Sequence, residues 1–302
     1  MDAVCFDKYE DALRDISPNA VNIVSPELRQ AILDADGVKD EGHLVMDDRK
    51  LDDLIELNLK WMSDLYDDPA HPYHNIPHTR EVVENTKKLL ALYEDEDGNP
   101  LPKHISQVVI LAALFHDLEH CGKTIKQAES GLSNEQHAVL TADGILEAYG
   151  FSVWQRVLFQ GLIIGTSFDD RTNEELPEGM RPSDKPKPET RLEEIVAIAD
   201  LAAGALSEDL EEFMGKTAAV FAEKDNSKKP TSVQDWLNKM CGFWGYLRSR
   251  FTPEAEQVWG GIADTRGAVL TLLKDDEGAR KAPEHAEFMR LVHEKIVPVL
   301  AA

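Results

Sequence analysis

Three residues able to bind a metal or carry a proton stand together in the sequence LAALFHDLEH, residues 111–120. His116 and Asp117 are adjacent, and His120 follows one helical turn later. Imidazole and carboxylate groups are common metal ligands and proton carriers. A lone histidine on an apolar face is more often an ordinary core residue. The neighbouring aspartate argues against that interpretation here, because a buried carboxylate needs a partner.

A second pair of histidines lies in the sequence YHNIPH, residues 73–78. Pro77 suits the first turn of a helix, and His78 lies four residues before Val82, on the same face of that helix. His74 lies one turn before His78, at or just outside the predicted helix start. Both imidazoles are therefore expected to reach the same cavity.

A carboxylate in an apolar helix completes the set. Asp200 lies in RLEEIVAIADLAAGAL, residues 191–206, with small or apolar neighbours on both sides. The sequence thus offers two imidazoles and two carboxylates that face inward from helices: His78, His116, Asp117 and Asp200. Mixed nitrogen and oxygen ligands suit zinc, iron, manganese or nickel, and a bridging aspartate can share a second, oxygen-preferring ion such as magnesium. We expect two divalent metal ions.

Apolar residues at helical spacing predict the elements that position these groups. One stripe precedes His116, a second follows His78 and a third surrounds Asp200; their members are Ile105, Val108, Val109, Ala112 and Phe115, then Val82, Thr86, Leu89, Leu90 and Tyr93, then Leu192, Ile195, Val196, Ala199 and Ala203. The chain shows no strand-like alternation, no internal repeat and no glycine-rich phosphate loop. The pattern therefore predicts an all-α protein.

The order of motifs, YHNxxH, then HDxxH, then a late aspartate, resembles the HD-domain metal-dependent phosphohydrolases. More narrowly, it resembles the catalytic domain of the cyclic nucleotide phosphodiesterases, over about residues 70–250. The resemblance implies a helical bundle around a metal site and a phosphodiesterase that uses a metal-bridged hydroxide.

The resemblance also implies a role for each matching residue. The first metal would be bound by His78, His116, Asp117 and Asp200, and Asp117 would bridge to the second metal. His74 would donate a proton to the leaving oxygen.

Two further residues would act on the bridging water. These are His120 of the HDxxH motif and Glu135 of SNEQHAVL, residues 133–140. His137, in the same segment, is a further candidate ligand for the second metal.

The substrate is less closely specified than the metal chemistry. The resembling family reads purines with a glutamine near the end of the domain, and KMCGFWGYLRSRF, residues 239–251, contains none. Its aromatic residues could line a base pocket or simply pack in the core. We expect a small anionic phosphate ester, with nucleotides among the candidates.

Three alternatives remain open: an HD-fold nucleotide phosphomonoesterase, a di-iron HD-domain oxygenase and a non-catalytic HD-fold regulatory module. The oxygenase would need more histidines on the second metal than this sequence offers. A regulatory module would be expected to have lost a ligand, whereas this chain has the full set.

Length and patterning predict one all-helical domain over residues 1–302. It comprises a helical extension at 1–66, a metal-binding core at 67–251 and closing helices at 252–302. An amphipathic helix is expected at 51–66, facing the core with Leu51, Leu54, Ile55, Leu57, Asn58, Trp61, Met62 and Leu65. The proline-containing segment 169–190 is expected to be a long loop, either a lid or an insertion.

The overall charge excludes some partners. A formal net charge of −24 argues against nucleic acid or an anionic membrane as the main partner.

The cysteines and the N-terminal residues indicate the compartment. The three cysteines do not have the number or spacing of a disulfide framework, which fits a reducing compartment. Residues 1–20 lack the apolar core of a secretory signal, and we expect a cytoplasmic protein.

Overall fold

Helices provide the regular structure of the chain. The computed structural model describes residues 43–66, 71–118, 134–166, 190–224 and 229–301, and no strand occurs within these ranges. The predicted all-α class is therefore confirmed. No helix in the described ranges is long and apolar enough to cross a membrane.

The helices are numbered here in chain order. They are α1 (Asp48–Tyr66), α2 (Ile76–Leu90), α3 (Lys103–Phe115), α4 (Asn134–Ala148), α5 (Val153–Ile164), α6 (Arg191–Ala205), α7 (Leu210–Glu223), α8 (Val233–Ser249), α9 (Pro253–Asp275), α10 (Ala286–Leu291) and α11 (Val297–Ala301). Two short 3₁₀ turns, Ala279–Lys281 and Pro283–His285, precede α10, and a π-helical turn, Val292–Ile296, follows it.

Helix α3 is the centre of the bundle. Residues 107–115 are all buried, and the helix packs against α1, α2, α4, α5 and α6. Such a helix must be apolar on every face, and the run VVILAALF is. The one-sided stripe predicted from Ile105 was therefore too narrow, and Ile105 itself is only half-buried.

Local sequence fixes where α2 begins. Asn75 is the N-cap, and its side chain accepts a hydrogen bond from the backbone N–H of His78 at 3.1 Å. Pro77 lies in the first turn, where its missing N–H costs nothing. As expected, His78 is inside the helix and His74 lies just before it.

Helix α2 packs along α6, and a side chain joins them near Asp200. Asn85 donates from Nδ2 to the carbonyl oxygen of Ala199 at 3.3 Å, and Asn85 is buried. Helix α6 begins with a capping box, in which the side chains of Thr190 and Glu193 each accept from the other's backbone N–H. These contacts set where Asp200 lies relative to His78.

Helix α1 has the expected amphipathic character and packs against α2 and α3. Its buried face includes Leu51, Leu54, Ile55 and Met62. The inward orientation predicted for Leu57 is wrong, since its side chain is 49% exposed while Leu59 is only 2% exposed. A helix with this stripe buries a limited arc, and the eight inward positions read from the sequence spread over too wide an arc.

Several expectations fall outside the described residues. These are His120, the 169–190 loop up to residue 189, and residues 1–42 of the N-terminal extension. The division of the chain into extension, core and closing helices stays a prediction.

Candidate metal centre

Four of the predicted site residues meet at one point. His78 Nε2 lies 3.3 Å from Asp117 Oδ2 and 3.2 Å from Asp200 Oδ1. His116 Nε2 lies 3.1 Å from Asp117 Oδ2 and 3.5 Å from Asp200 Oδ1. The two carboxylates therefore face the same two imidazole nitrogens. We call these four residues the metal cluster.

Three members of the cluster could share one ion. One ligand atom each from His78, His116 and Asp200 lies within 4.8 Å of the others, a spacing compatible with a common metal. Asp117 is not part of this three-residue set, although its carboxylate contacts both imidazoles. These three residues could thus hold a metal ion, and the number of ions and the part of Asp117 stay predictions.

The unsatisfied nitrogens of the cluster fit a metal. His78 Nδ1 and Nε2 and His116 Nε2 are enclosed and form no hydrogen bond, although carboxylate oxygens lie close to both Nε2 atoms. A buried polar atom without a hydrogen bond costs about 1–3 kcal/mol. An ion held between the imidazoles and the carboxylates would remove this cost at both Nε2 atoms, so the donor set and its geometry suit a divalent cation.

Backbone geometry at the end of α3 orients His116. Its Nδ1 lies 2.8 Å from the carbonyl oxygen of Ala113. A carbonyl only accepts, so Nδ1 donates its proton there, and the neutral ring would carry its lone pair on Nε2, which faces the cluster. This tautomer is the one that binds a metal through Nε2.

Burial and charge oppose each other across the cluster. Burial alone would raise the pKa of Asp117, but the nearby imidazoles, His116 foremost, hold it well below its usual range. The pKa of Asp200 is also lowered, because the adjacent imidazoles of His116 and His78 outweigh its burial. Conversely, burial would lower the pKa values of His78 and His116, and the two carboxylates raise them. A bound cation would replace the imidazole protons that balance the negative charge of the two carboxylates.

A buried glutamate, absent from the sequence prediction, holds His74 beside the cluster. Glu223 is the last residue of α7 and is 4% exposed. Its Oε1 accepts from the backbone N–H of Tyr73 at 2.5 Å and of His74 at 3.0 Å, and its Oε2 contacts His74 Nδ1. The His74 ring lies 5.7 Å from the His78 ring, between centroids. Glu223 thus fixes both the backbone and the ring of His74.

The same contacts affect the charge of Glu223. Burial would raise its pKa, but the hydrogen bonds from His74 and from the two backbone N–H groups lower it overall. Glu223 is therefore a carboxylate at neutral pH. Nothing in its local sequence marks it, since the contact with His74 spans 149 residues.

The other predicted site residues are Glu135 and His120, and His120 lies outside the described residues. Glu135 lies in the first turn of α4 and is not a member of the metal-capable group found among the described residues. Its predicted action on a water molecule, and that of His120, stay predictions.

The aromatic segment of α8 packs mainly in the core. Trp244 is buried and donates from its indole N–H to the carbonyl of Ala263 at 2.7 Å. Arg250 donates to Glu194 at 2.7 Å. Nearby, Arg248 donates to Glu256 at 2.5 Å. These cations are therefore paired with carboxylates.

Comparisons with known proteins give no relative. The chain matches no protein-family model, no curated protein and no solved structure. The functional interpretation therefore depends on the geometry of the cluster and on the motifs that form it.

Proposed function

We propose that the protein is a metal-dependent phosphoric ester hydrolase of the HD-domain type, acting on a phosphodiester. The observation that carries the proposal is the metal cluster with His74 and Glu223 beside it. Enclosed imidazole nitrogens of His78 and His116 face two carboxylates, and His74, hydrogen-bonded to Glu223, lies next to the His78 ring. A metal site next to a proton donor is the arrangement that phosphate ester hydrolysis requires.

The cluster residues divide the task of holding the cofactor. His78, His116 and Asp200 would hold one divalent ion, and Asp117 would complete its ligands and reach a second ion. A divalent ion there, such as zinc, iron, manganese, nickel or magnesium, lowers the pKa of water and polarises a phosphoryl oxygen. The negative charge of the two aspartates suits a dication, and the positive charge of the bound ions would attract an anionic ester.

His74 is proposed to transfer a proton to the leaving oxygen. Its side chain is 23% exposed, so it is open to solvent, from which a proton can be replaced. Glu223 accepts at Nδ1, which orients the ring. No covalent enzyme intermediate is needed.

The His74–Glu223 pair favours hydrolysis of a phosphate ester over oxygen activation or a regulatory role. Expulsion of an alkoxide from a phosphate ester needs a proton, and the pair can supply it. Oxygen activation makes no such demand, and a regulatory module has no use for a histidine oriented by a buried carboxylate. The identity of the ester stays open, because the segment 239–251 contains no glutamine.

Metal analysis followed by a hydrolysis screen tests the proposal. The purified chain is expected to contain divalent metal and to hydrolyse members of a panel of cyclic and linear nucleotide diesters and monoesters. Asp117→Ala should lose metal and activity together. Asp53→Ala is the matched control, because Asp53 is exposed on α1. Full metal content in Asp117→Ala would show that the ligand assignment is wrong, and a metal-loaded chain inert on every ester would overturn the function.

A further inference from the structure

A cavity of about 390 Å³ lies away from the metal cluster. It is bounded by residues before and at the start of α7, by α9 and by α10. Its walls include the apolar side chains Leu210, Ile262 and Phe288 and the charged residues Glu208 and Arg266. No residue of the metal cluster lines it. The volume is within the range of small-molecule binding sites.

Arg266 places a buried positive charge at this cavity. The residue is only 9% exposed, and its guanidinium lies 4.5 Å from the centre of the Phe213 ring. Nη1 donates to the carbonyl oxygens of Ala205 at 3.1 Å and Ser207 at 2.7 Å. Within the described part of the chain it forms no ion pair with a carboxylate. A buried charge without a counter-ion is costly, so this one calls for an explanation.

Two other partly buried arginines of this acidic protein are paired with carboxylates, whereas Arg280, which is also half-buried, donates to two carbonyls and to Gln234. Arg156 pairs with Asp143 and Arg250 with Glu194. The chain has acids to spare, with 56 aspartates and glutamates against 32 lysines and arginines. Arg266 and Arg280 depart from this pairing, and Arg266 is the more deeply buried of the two.

One edge of the Arg266 guanidinium remains available. Nη1 is used by the two carbonyls, whereas Nε and Nη2 donate to no atom of the described chain. Neither atom is among the enclosed polar atoms that lack a partner, so both reach accessible space. The Nε and Nη2 N–H bonds are parallel and match the two oxygens of a carboxylate.

Nearby acids do not neutralise this charge. Glu208 is exposed where it meets the cavity. Asp209 attracts the guanidinium, but burial outweighs that attraction and lowers the pKa of Arg266. An arginine remains charged even so.

We propose that this cavity binds a small amphipathic carboxylate. Its two oxygens accept from Nε and Nη2 of Arg266, and its apolar body lies against Leu210, Ile262 and Phe288. The inference is independent of the proposed hydrolase activity. A purely structural role for Arg266, capping the carbonyls at the end of α6, would use Nη1 alone.

Calorimetric titration with octanoate tests the proposal on the full-length, metal-loaded protein. Octanoate is expected to bind at one saturable site. Octanol, which keeps the apolar chain and lacks the charge, should bind at least about tenfold more weakly, the scale of a lost charged hydrogen bond. Octylammonium should show no binding there, because its charge repels the guanidinium.

Two variants separate the binding site from a structural cap. Arg266→Lys keeps a cation for the helix-end carbonyls but lacks the paired N–H bonds, and should weaken octanoate binding by about tenfold or more. Ile262→Trp fills the cavity and leaves Arg266 intact, and should abolish binding. Leu272→Trp is the matched control, since Leu272 is 44% exposed on the same helix and does not line the cavity.

Several results would overturn the proposal. These are no octanoate binding at millimolar concentration, unchanged affinity in both Arg266→Lys and Ile262→Trp, or equal binding of octylammonium. Asp117→Ala should still bind octanoate, and loss of binding there would show that the carboxylate sits on the metal. Circular dichroism checks folding, and if Arg266→Lys does not fold, Ile262→Trp decides.

Discussion

His116 shows how a single residue serves the fold and the site together. The end of a helix leaves carbonyl oxygens without partners, and His116 Nδ1 meets the Ala113 carbonyl at 2.8 Å, where α3 ends. Satisfying that oxygen fixes the ring so that Nε2 faces the two aspartates. The orientation of the proposed ligand is therefore a consequence of where the helix stops.

His74→Ala is expected to keep metal and fold while losing turnover. Removing a general acid costs about a hundred- to ten-thousand-fold in rate for an alkoxide leaving group. The loss should be much smaller for a nitrophenyl ester, whose leaving group needs no proton. Turnover numbers on both ester types, with metal content measured in parallel, check the prediction.

Glu223→Gln keeps His74 and tests the contact that orients it. The glutamine can still accept from the backbone N–H groups of Tyr73 and His74, but it removes the negative charge at His74 Nδ1. Turnover should fall by about ten- to a hundredfold, as for other groups that orient a reacting histidine. Glu256→Gln, at an exposed ion pair with Arg248, should leave turnover unchanged. For His74→Ala, equal losses of turnover with both leaving groups would contradict the assignment of His74 as the general acid.

At the scale of elements, the approach of the YHN segment to α6 depends on a glycine. Gly204 lies one turn after Asp200, and a Cβ placed on it would come 2.5 Å from the hydroxyl oxygen of Tyr73. No real side chain fits at that distance. Gly204 therefore lets the segment carrying His74 pack directly against the helix that carries Asp200.

Gly204→Ala is predicted to destabilise the protein, by about 1–3 kcal/mol, the usual cost of overpacking. The change should also weaken metal binding, because Tyr73 must move away from α6. Urea unfolding and metal titration measure the two effects. Gly215→Ala on α7 is the control: its Cβ would meet nothing within 4 Å, so the alanine should stabilise the helix by up to about 1 kcal/mol. Equal stability of the two variants would disprove the packing argument.

Features set by local sequence could be predicted, and features set by contacts between distant residues could not. The all-α class, the start of α2 beside Pro77 and the convergence of His78, His116 and Asp200 follow from periodicity and local motifs. Glu223 and Gly204 do not, because their partners lie far away in sequence and only the packing of helices brings them together. Leu57 was misplaced because periodicity gives a face and leaves its width undetermined.

At the scale of the whole molecule, two buried glutamines bind the chain that precedes α1. Gln107 on α3 accepts from the backbone N–H of Met46 at 2.9 Å and donates to its carbonyl at 2.7 Å. Gln155 on α5 does the same for Leu44, at 3.0 and 2.9 Å. Each side-chain amide thus pairs with both backbone groups of one residue, as a neighbouring β-strand would. The two contacts span 61 and 111 residues and join the N-terminal part of the described chain to the core.

Replacing Gln107 with the similarly shaped methionine should release this segment. The backbone N–H and carbonyl of Met46 would lose their partners, at a cost of about 1–3 kcal/mol for each group that stays buried. Urea unfolding should show the loss of stability, and amide hydrogen exchange at Leu44 and Met46 should accelerate together. Gln257→Met, at an exposed position on α9, should change neither measurement.

The double variant Gln107→Met/Gln155→Met tests whether the two glutamines act on one unit. If the whole segment leaves the core once either glutamine is replaced, the second replacement should cause little further loss of stability. The summed losses of the single variants should then exceed the loss in the double variant by about 0.5 kcal/mol or more. Strict additivity, with exchange at Leu44 unaffected by Gln107→Met, would instead show two separate anchors, each holding its own residue.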